Sequence, residues 1–331
     1  MDTKICPINQ ESLCEAKRIL SDGGVVAFPT ETVYGLAADA RRDDAVSEIY
    51  RIKGRPSDNP LIVHVHKDYD ISELVFDDRP YAMKLREAFL PGPLTLVYRS
   101  KGKVSKIVSC GLDTLAIRVP SHVGAQQFLR FTNMPIAAPS ANLSKHISPV
   151  SAQHVYSDLN GRIPLILDGG ICSGGIESTV CDVTGEYPIV LREGLVSREM
   201  IEAVAGRCEV YKLKEGEAAR SPGMKYKHYA PKCRTRLFET EELEKALKYF
   251  QENCSQGNKT YILCEDNVAR FFPKELVLNL GKTEQEMAAN LYSLLRQGEV
   301  VADVIIAIKP EKKDGVMAGV MNRLSKACAN E

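Results

Sequence analysis

The sequence has no excess of charge of either sign, no C-x-x-C cysteine pair and no long apolar run. The sequence contains 43 Lys and Arg residues and 43 Asp and Glu residues. This balance argues against a protein that binds nucleic acid over a broad basic face. The ten cysteines are scattered, which excludes the common zinc-ribbon spacing and favours a reducing cytosol over a disulfide framework. Without a signal-peptide core or a run that could span a bilayer, we expect a soluble, cytoplasmic protein with no membrane partner.

The usual phosphate-binding loops are also missing. Gly281-Lys282-Thr283 looks like the end of a Walker motif, but Leu276 stands where that motif has its first glycine, and there is no G-x-G-x-x-G. A bound nucleotide would therefore have its phosphates held by side chains and hydroxyl groups. No serine or cysteine lies in a G-x-S-x-G or catalytic-cysteine context, so the sequence gives no support for covalent catalysis.

The length of 331 residues predicts two domains. Short strands and helices follow one another in irregular order over residues 1–206, which predicts an α/β domain with a mixed, twisted sheet. Residues 232–331 alternate strands with helices more regularly and predict a smaller, Rossmann-like α/β domain with a parallel core. Between them, residues 207–231 form a predicted linker that is too rich in aromatic and basic residues for a simple spacer.

Two neighbouring stretches of the first domain carry polar residues where a ligand crevice is expected. A strand at Val25–Phe28 runs into the hydroxyl and acid side chains of residues 30–34, at a strand end where α/β sheets open their crevice. Lys53 and Arg55 then lie on a loop that glycine and proline keep out of regular structure. Cations fixed beside a strand end indicate an anion site. The alternative is a solvated loop with surface cations.

Isolated polar residues elsewhere give weaker signals. Arg118 lies in an apolar strand, so it must reach solvent at the strand edge or meet an anion, and we favour the anion. Arg192 ends the strand Ile189–Arg192 in the same context. Ser140 and Asn142 follow a strand and either bind a ligand or simply form a turn or helix cap. Glu177-Ser178-Thr179 is equally ambiguous, and His64 is more often just the polar side of a strand.

Several motifs occur in a characteristic order along the chain: PTETVYGL (29–36), KGRP…NPLIVH (53–64), PGPLTL (91–96), AIRVP (116–120), APSANLS (138–144), ESTV (177–180), LREG (191–194), SPGMKYKHYAP (221–231) and the helix GVMNRL (319–324). On these residues the sequence resembles the YrdC-like family, specifically its two-domain threonylcarbamoyl-AMP synthases. Two departures are Lys145, where the family commonly has glycine, and Cys181, where it has valine.

The resemblance implies a reaction in which L-threonine, bicarbonate and ATP, with Mg²⁺, give threonylcarbamoyl-adenylate and pyrophosphate. A separate transferase would then pass the threonylcarbamoyl group to the adenosine beside the anticodon of certain tRNAs. The chain itself is expected to hold no nucleic acid stably, and no residue of this sequence is assigned to the metal.

The resemblance also implies roles for individual residues. L-threonine would be bound by Thr32, His64, Arg118, Ala138 through its backbone, and Ser178. ATP would be bound by Arg55, Asn59, Thr114, Ser140, Ser148, Arg192 and Tyr229. The catalytic signature would be Lys53, Arg55, Ser140 and Asn142. Because a carbamate decomposes readily, the site should exclude water, and we expect Tyr226 and Tyr229 of the linker to act as its lid.

Two other functions remain as alternatives. A carbamoyl transferase of the hydrogenase-maturation type would carry zinc-finger segments, which the absence of a C-x-x-C pair disfavours. A double-stranded-RNA-binding module would need a concave basic face. The balanced charge disfavours that module as well, although a local basic patch is compatible with a neutral total.

Overall fold

The computed structural model describes residues 2–211 and 229–328, which form two α/β units. The strands of the first unit are β1 (Lys4–Pro7), β2 (Val26–Phe28), β3 (Gly35–Asp39), β4 (Ile62–His64), β5 (Val75–Phe76), β6 (Leu94–Ser100), β7 (Thr114–Arg118), β8 (Ile136–Ala137), β9 (Leu165–Asp168), β10 (Thr179–Asp182), β11 (Ile189–Arg192) and β12 (Glu209–Val210). Its helices are α1 (Gln10–Ser21), α2 (Asp43–Lys53), α3 (Pro80–Phe89), α4 (Lys106–Ser109), α5 (Val123–Thr132), α6 (Ala152–Leu159) and α7 (Arg198–Ala205).

The first unit contains one long mixed sheet, as the sequence predicted. The strand order is β1-β9-β2-β3-β8-β4-β7-β6-β10-β11-β12, with β5 paired to β6. The sheet contains parallel pairs such as β4 with β7 and antiparallel pairs such as β2 with β3. The predicted linker at 207–231 begins inside this sheet, because β12 pairs with β11. Residues 212–228 of the linker lie outside the described residues.

Local sequence accounts for the main elements around the sheet. Helix α1 begins at a capping box between Asn9 and Ser12 and buries one apolar face, which includes Leu13 and Leu20. Strand β3 was not predicted from its pattern. It consists of small and apolar residues that are all buried, so it lacks the alternation that reveals a half-exposed strand.

The sheet brings the polar motifs to one place. In the parallel pair of β4 and β7, His64 lies opposite Arg118, and in the antiparallel pair of β4 and β8, His64 lies opposite Ile136. The loop between β2 and β3 starts beside them, and Gly35 at the beginning of β3 forms a backbone bridge with Ser140. Motifs that are far apart in the sequence therefore meet at the ends of adjacent strands.

The second unit is a four-stranded, all-parallel sheet in the order β13-β16-β14-β15. Its elements are β13 (Arg234–Phe238), α8 (Leu243–Ser255), β14 (Thr260–Cys264), α9 (Asp266–Ala269), β15 (Val277–Asn279), α10 (Glu284–Val301), β16 (Val304–Ile308) and α11 (Val316–Ala327). The sequence predicted this parallel core. None of the described helices has the length and apolar character needed to cross a membrane.

Helices α10 and α11 pack directly on the first unit. A Cβ atom at Gly319 of α11 would lie 3.1 Å from the Cα of Gly194, and one at Gly175 would lie 2.2 Å from the carbonyl oxygen of Ala288 in α10. The largest hydrophobic cluster includes buried residues of both units, for example Ile176 and Leu291. The two units therefore share a packed interface.

Candidate active site

A cavity with about 680 Å³ of unfilled space, including its open mouth, lies at the strand ends described above. Most of the predicted site residues line it: Arg55, Asn59, His64, Arg118, Ala138, Ser140, Asn142, Ser148, Ser178, Arg192 and Tyr229. Motifs from the first quarter of the chain to the predicted linker thus meet at one cavity, whose lining runs from Thr30 to Tyr229.

Arg118 forms one end of the cavity, at the last position of β7. Its side chain is 5% exposed, and its Nη2 lies 3.0 Å from Oε1 of the buried Glu31. The two groups are not in hydrogen-bond geometry, so Nε and Nη2 of Arg118 have no hydrogen-bond acceptor among the described residues. The sequence left two predicted surroundings for the Arg118 guanidinium, solvent or an anion, and the prediction of solvent is wrong. The guanidinium meets the carboxylate of Glu31, which the sequence placed at the crevice without pairing it to Arg118, and it retains donors for a second anion.

The imidazole of His64 lies beside Arg118. Burial and the neighbouring guanidinium lower the pKa of His64 to about 3, so the ring is neutral near pH 7. Its Nδ1 lies 3.1 Å from the carbonyl oxygen of Ile62, which fixes the ring orientation. Because His64 is neutral, Arg118 supplies the positive charge at this end.

Small hydroxyl groups surround this end of the cavity. Ser178 is fully buried, and its Oγ lies 2.8 Å from Oγ1 of Thr95. Thr32 does not line the cavity itself. Its Oγ1 is 2.9 Å from Oγ1 of Thr30, which does line it. Ala138 directly follows β8, and its N–H donates to the carbonyl of Ile62 at 2.9 Å.

Lys53 lies beneath the cavity, not in its lining. The side chain is buried, and its ammonium group donates to the carbonyl oxygens of Ser140 at 2.5 Å and Asn142 at 2.6 Å. Burial and the charge of Arg55 hold the pKa of Lys53 well below its usual value. The solvated-loop alternative is wrong for Lys53. Its ammonium group holds the 140–142 segment in place from behind.

Two arginines and one tyrosine line the rest of the cavity, and one of them, Arg192, reaches the hydroxyl of Ser178 beside Arg118. Nη2 of Arg55 donates to the carbonyl of Asn59 at 2.8 Å, and Nη2 of Arg192 donates to the carbonyl of Ser178 at 2.8 Å. Tyr229 is buried with its backbone at φ 70°, a left-handed conformation that costs roughly 1 kcal/mol or more for a non-glycine residue. Tyr226, the other predicted lid residue, lies outside the described residues.

Glu177 is the main site residue whose role the sequence left undecided. Its Oε1 accepts a hydrogen bond from Ser148 at 2.6 Å, and its Oε2 accepts from Tyr292 at 2.9 Å and from Nε of Arg323 at 3.1 Å. Burial raises the pKa of Glu177, but Arg323, Arg192 and Ser148 together lower it to about 2. Glu177 is therefore a carboxylate in the cavity wall. Its partners 292 and 323 lie 115 and 146 residues away, beyond the reach of any local motif.

Two features of the sequence lie away from the cavity. Thr114 begins β7, whereas Arg118 ends it, and Thr114 does not line the cavity. The Walker-like Gly281-Lys282-Thr283 precedes α10, where Oε2 of Glu286 accepts from the N–H groups of Lys282 at 2.8 Å and Thr283 at 2.9 Å. A carboxylate of the protein therefore already occupies the place that an anion would take at this helix N-terminus.

The described residues contain no group of three His, Cys, Asp or Glu side chains that could hold a metal ion. Of the cavity-lining residues, Glu177 carries a carboxylate, and both of its oxygens already accept hydrogen bonds. The described residues therefore do not supply a direct ligand set for magnesium, and the ion that the resemblance implies stays a prediction.

Comparisons with known proteins cover nearly the whole chain. A family model described as "Telomere recombination" matches residues 18–194, and one described as "Threonylcarbamoyl-AMP synthase, C-terminal domain" matches residues 196–329. The threonylcarbamoyl-AMP synthase of Bacillus subtilis is 42% identical over 96% of this chain and 93% of its own length. The chain belongs to the threonylcarbamoyl-AMP synthase family.

Further members of the family agree with this assignment. The threonylcarbamoyl-AMP synthase of Pyrococcus abyssi is 40% identical over 94% of this chain and 92% of its own length. A crystal structure of P. abyssi Sua5 complexed with L-threonine superposes with a TM-score of 0.91 and 37% identity, covering 99% of this chain and 98% of that one. Both units of this chain, and not just the first, thus follow the architecture of the threonylcarbamoyl-AMP synthase family.

Proposed function

We propose that this protein is a threonylcarbamoyl-AMP synthase that joins L-threonine, bicarbonate and ATP into threonylcarbamoyl-adenylate and releases pyrophosphate. The observation that carries the proposal is the convergence of Arg118, Arg55 and Ser140 on one cavity in a chain that matches its relatives over both units. A cavity lined by three guanidinium groups suits two anionic substrates that must be brought together.

Threonine is assigned to the Arg118 end. Nε and Nη2 of Arg118 are buried without hydrogen-bond acceptors among the described residues, and a carboxylate would satisfy them. The neutral imidazole of His64 and the hydroxyl of Ser178 border the same end and match the polar groups of a small amino acid. The L-threonine in the P. abyssi Sua5 structure supports this choice of substrate.

ATP is assigned to the end formed by Arg55, Arg192 and Tyr229. The cations would attract the triphosphate without any glycine-rich loop, and the ring of Tyr229 offers a surface for the nucleoside. Ser140 also lines the cavity, and its backbone forms a bridge with Gly35 at the start of β3. Magnesium would arrive with ATP, bound to the phosphates and water, because Mg²⁺ often keeps several waters and binds few protein ligands.

The chemistry requires positioning and charge more than a reactive side chain. The neutral amine of threonine would attack carbon dioxide with loss of a proton, or bicarbonate with loss of water, to give a carbamate. An oxygen of the carbamate would then attack the α-phosphorus of ATP as pyrophosphate leaves. The arginines would stabilise the charge that develops, so that no covalent intermediate with the protein is needed. Tyr229, which is 5% exposed, would help to keep water from the carbamate.

The product would pass to a separate transferase that modifies tRNA, since threonylcarbamoyl-adenylate is an activated acyl donor. This protein would therefore act in the cytosol, together with that transferase and its tRNA. Both statements rest on the proposed activity.

Pyrophosphate release tests the proposal directly. The purified chain is incubated with ATP, magnesium, bicarbonate and L-threonine, and each component is omitted in turn. We expect release only when all are present, and a product with the mass of threonylcarbamoyl-adenylate. Release that continues without threonine or without bicarbonate would reject the proposed reaction. RNA binding with a steep salt dependence and no pyrophosphate release would favour an RNA-binding module instead.

A further inference from the structure

The wall of the cavity around Glu177 is completed by the second unit. Arg323 of α11 is completely buried, and its Nε donates to Oε2 of Glu177 at 3.1 Å. Nη1 of Arg323 also donates to the carbonyl oxygen of Glu193, beside β11. Tyr292 of α10, likewise fully buried, donates its hydroxyl to the same Oε2 at 2.9 Å. Two helices of the second unit thus reach a carboxylate that lines the cavity of the first.

A second contact holds the neighbouring loop. Arg296 of α10 pairs with the buried Asp158 at 2.8 Å, and the same Nη2 donates to the carbonyl of Ile147 at 2.5 Å. The carbonyl of His146, one residue earlier, accepts from the side-chain amide of Asn142 at 2.8 Å. The second unit therefore contacts the segment from Asn142 to Ser148 at Ile147, and the bond between Asn142 and His146 braces the segment internally.

The bond between Glu177 and Ser148 determines what the cavity wall offers to a ligand. A serine hydroxyl has one proton, and Ser148 donates it to Glu177 at 2.6 Å. The oxygen of Ser148 can then only accept hydrogen bonds from the cavity. If Glu177 were protonated, it would lose an acceptor for the hydroxyl of Ser148. That hydroxyl could then donate a hydrogen bond to a ligand in the cavity instead of only accepting one.

We propose that Tyr292 and Arg323 are positioning residues of the active site: through Glu177 they orient Ser148 and so complete the nucleotide end of the cavity. The second unit is, by this inference, a structural component of ATP binding. The inference rests on the proposed function for the identity of the ligand. It assigns the second unit a role at the level of single side chains.

The charge of Glu177 depends on every element around it. The charged or titratable groups that interact with it are Arg192 of β11, Lys53 of α2, Tyr292 of α10, Arg323 and Lys326 of α11, and Tyr229 ahead of β13. Of the groups that lower its pKa, Arg323 has the largest effect. Replacing Arg323 with an uncharged residue removes the largest of these effects, so the pKa of Glu177 rises.

Steady-state kinetics of two variants test the inference, with pyrophosphate release as the readout. In Tyr292→Phe, which removes one hydroxyl and retains the ring, we expect the KM for ATP to rise roughly threefold to tenfold and the KM for threonine to change less than about twofold. Gln297→Ala in α10 and Asn322→Ala in α11 are matched controls, because both residues are exposed neighbours on the same helices. Both controls should keep the wild-type values.

The pH profile of Arg323→Gln separates positioning from a general loss of structure. Wild-type Glu177 has a pKa of about 2 and stays ionised across the usual assay range. In Arg323→Gln its pKa is raised, so activity should fall as the pH falls through the new value. The double variant Arg323→Gln with Glu177→Gln has no carboxylate at position 177. Its activity should therefore not show this decrease at low pH.

The outcomes separate the inference from the proposed function. If wild-type protein makes no pyrophosphate from the three substrates, the proposed function fails. If it does, and Tyr292→Phe raises both KM values equally or neither, the inference fails. If the double variant shows the same decrease in activity at low pH, the inference also fails, because the ionising group is then not Glu177. Melting temperatures show which variants are folded. If Arg323→Gln does not fold, the KM values of Tyr292→Phe still test the inference.

Discussion

At the scale of single residues, Arg118 and Glu31 form an incompletely satisfied ion pair. Both side chains are buried and 3.0 Å apart, yet neither oxygen of Glu31 makes a hydrogen bond to a described residue. The carboxylate neutralises part of the charge, which makes burial of the guanidinium tolerable. Nε and Nη2 of Arg118 are left to bind a ligand, and a planar guanidinium can grip a carboxylate with two parallel hydrogen bonds.

Arg118→Lys should therefore weaken threonine binding specifically. Lysine keeps the charge but cannot form the two-point contact, so we expect the KM for threonine to rise roughly ten- to a hundredfold, with a smaller effect on the KM for ATP. Arg130→Lys is the matched control, because Arg130 forms an ion pair with Asp68 in which both side chains are 56% exposed. Equal losses of affinity for both substrates would contradict the assignment of Arg118 to threonine.

At the scale of elements, helix α2 supports the loop that follows β8. Lys53 is its last residue, and its ammonium group donates to the carbonyl oxygens of Ser140 and Asn142. The amide of Asn142 in turn donates to the carbonyl of His146. The end of one helix thus sets the conformation of a loop about 90 residues further along, which lines the cavity.

Lys53→Met should disturb this loop. The two carbonyl groups lose their buried donor, so we expect the free energy of unfolding to fall by about 1–3 kcal/mol. Protease cleavage within residues 140–148 should also become faster. Lys84→Met, on the exposed side of α3, is the control and should leave both properties unchanged. A Lys53→Met protein with wild-type stability and intact activity would show that the ammonium group does not hold the loop.

Sequence reasoning found the elements whose patterns are local. The strand Ile189–Arg192 agrees with the structure at both ends, and Val25–Phe28 differs by one residue. It missed β3, whose residues are all buried, because a strand covered on both faces shows no alternation. The motifs that resemble the YrdC-like family supplied most of the residues that line the cavity. Sequence reasoning did not find Tyr292 or Arg323 as site residues, nor the pairing of Glu31 with Arg118, because these contacts depend on packing between segments far apart in the chain.

At the scale of the whole molecule, the two units are joined by buried polar contacts as well as apolar packing. Arg323 to Glu177 and Arg296 to Asp158 are ion pairs in which every side chain is less than 10% exposed. Removing one partner of such a pair leaves an uncompensated buried charge and typically costs about 3–5 kcal/mol. Separation of the units would break both pairs at once, so we expect them to unfold together.

Gly319→Val tests this coupling without touching a charged group. Gly319 packs against the backbone of Gly194, and Arg323 lies four residues further along α11, on the same face. Valine would push the helix outward, which we expect to destabilise the protein by about 1–3 kcal/mol in urea denaturation and to raise the KM for ATP. Ala318→Val adds the same β-branched side chain at a half-buried position of the same helix without the clash. It loses helix propensity, whereas Gly319→Val gains it, so a larger loss of stability in Gly319→Val reports the clash. If both variants behave alike, the close approach of α11 to Gly194 does not couple the second unit to the cavity.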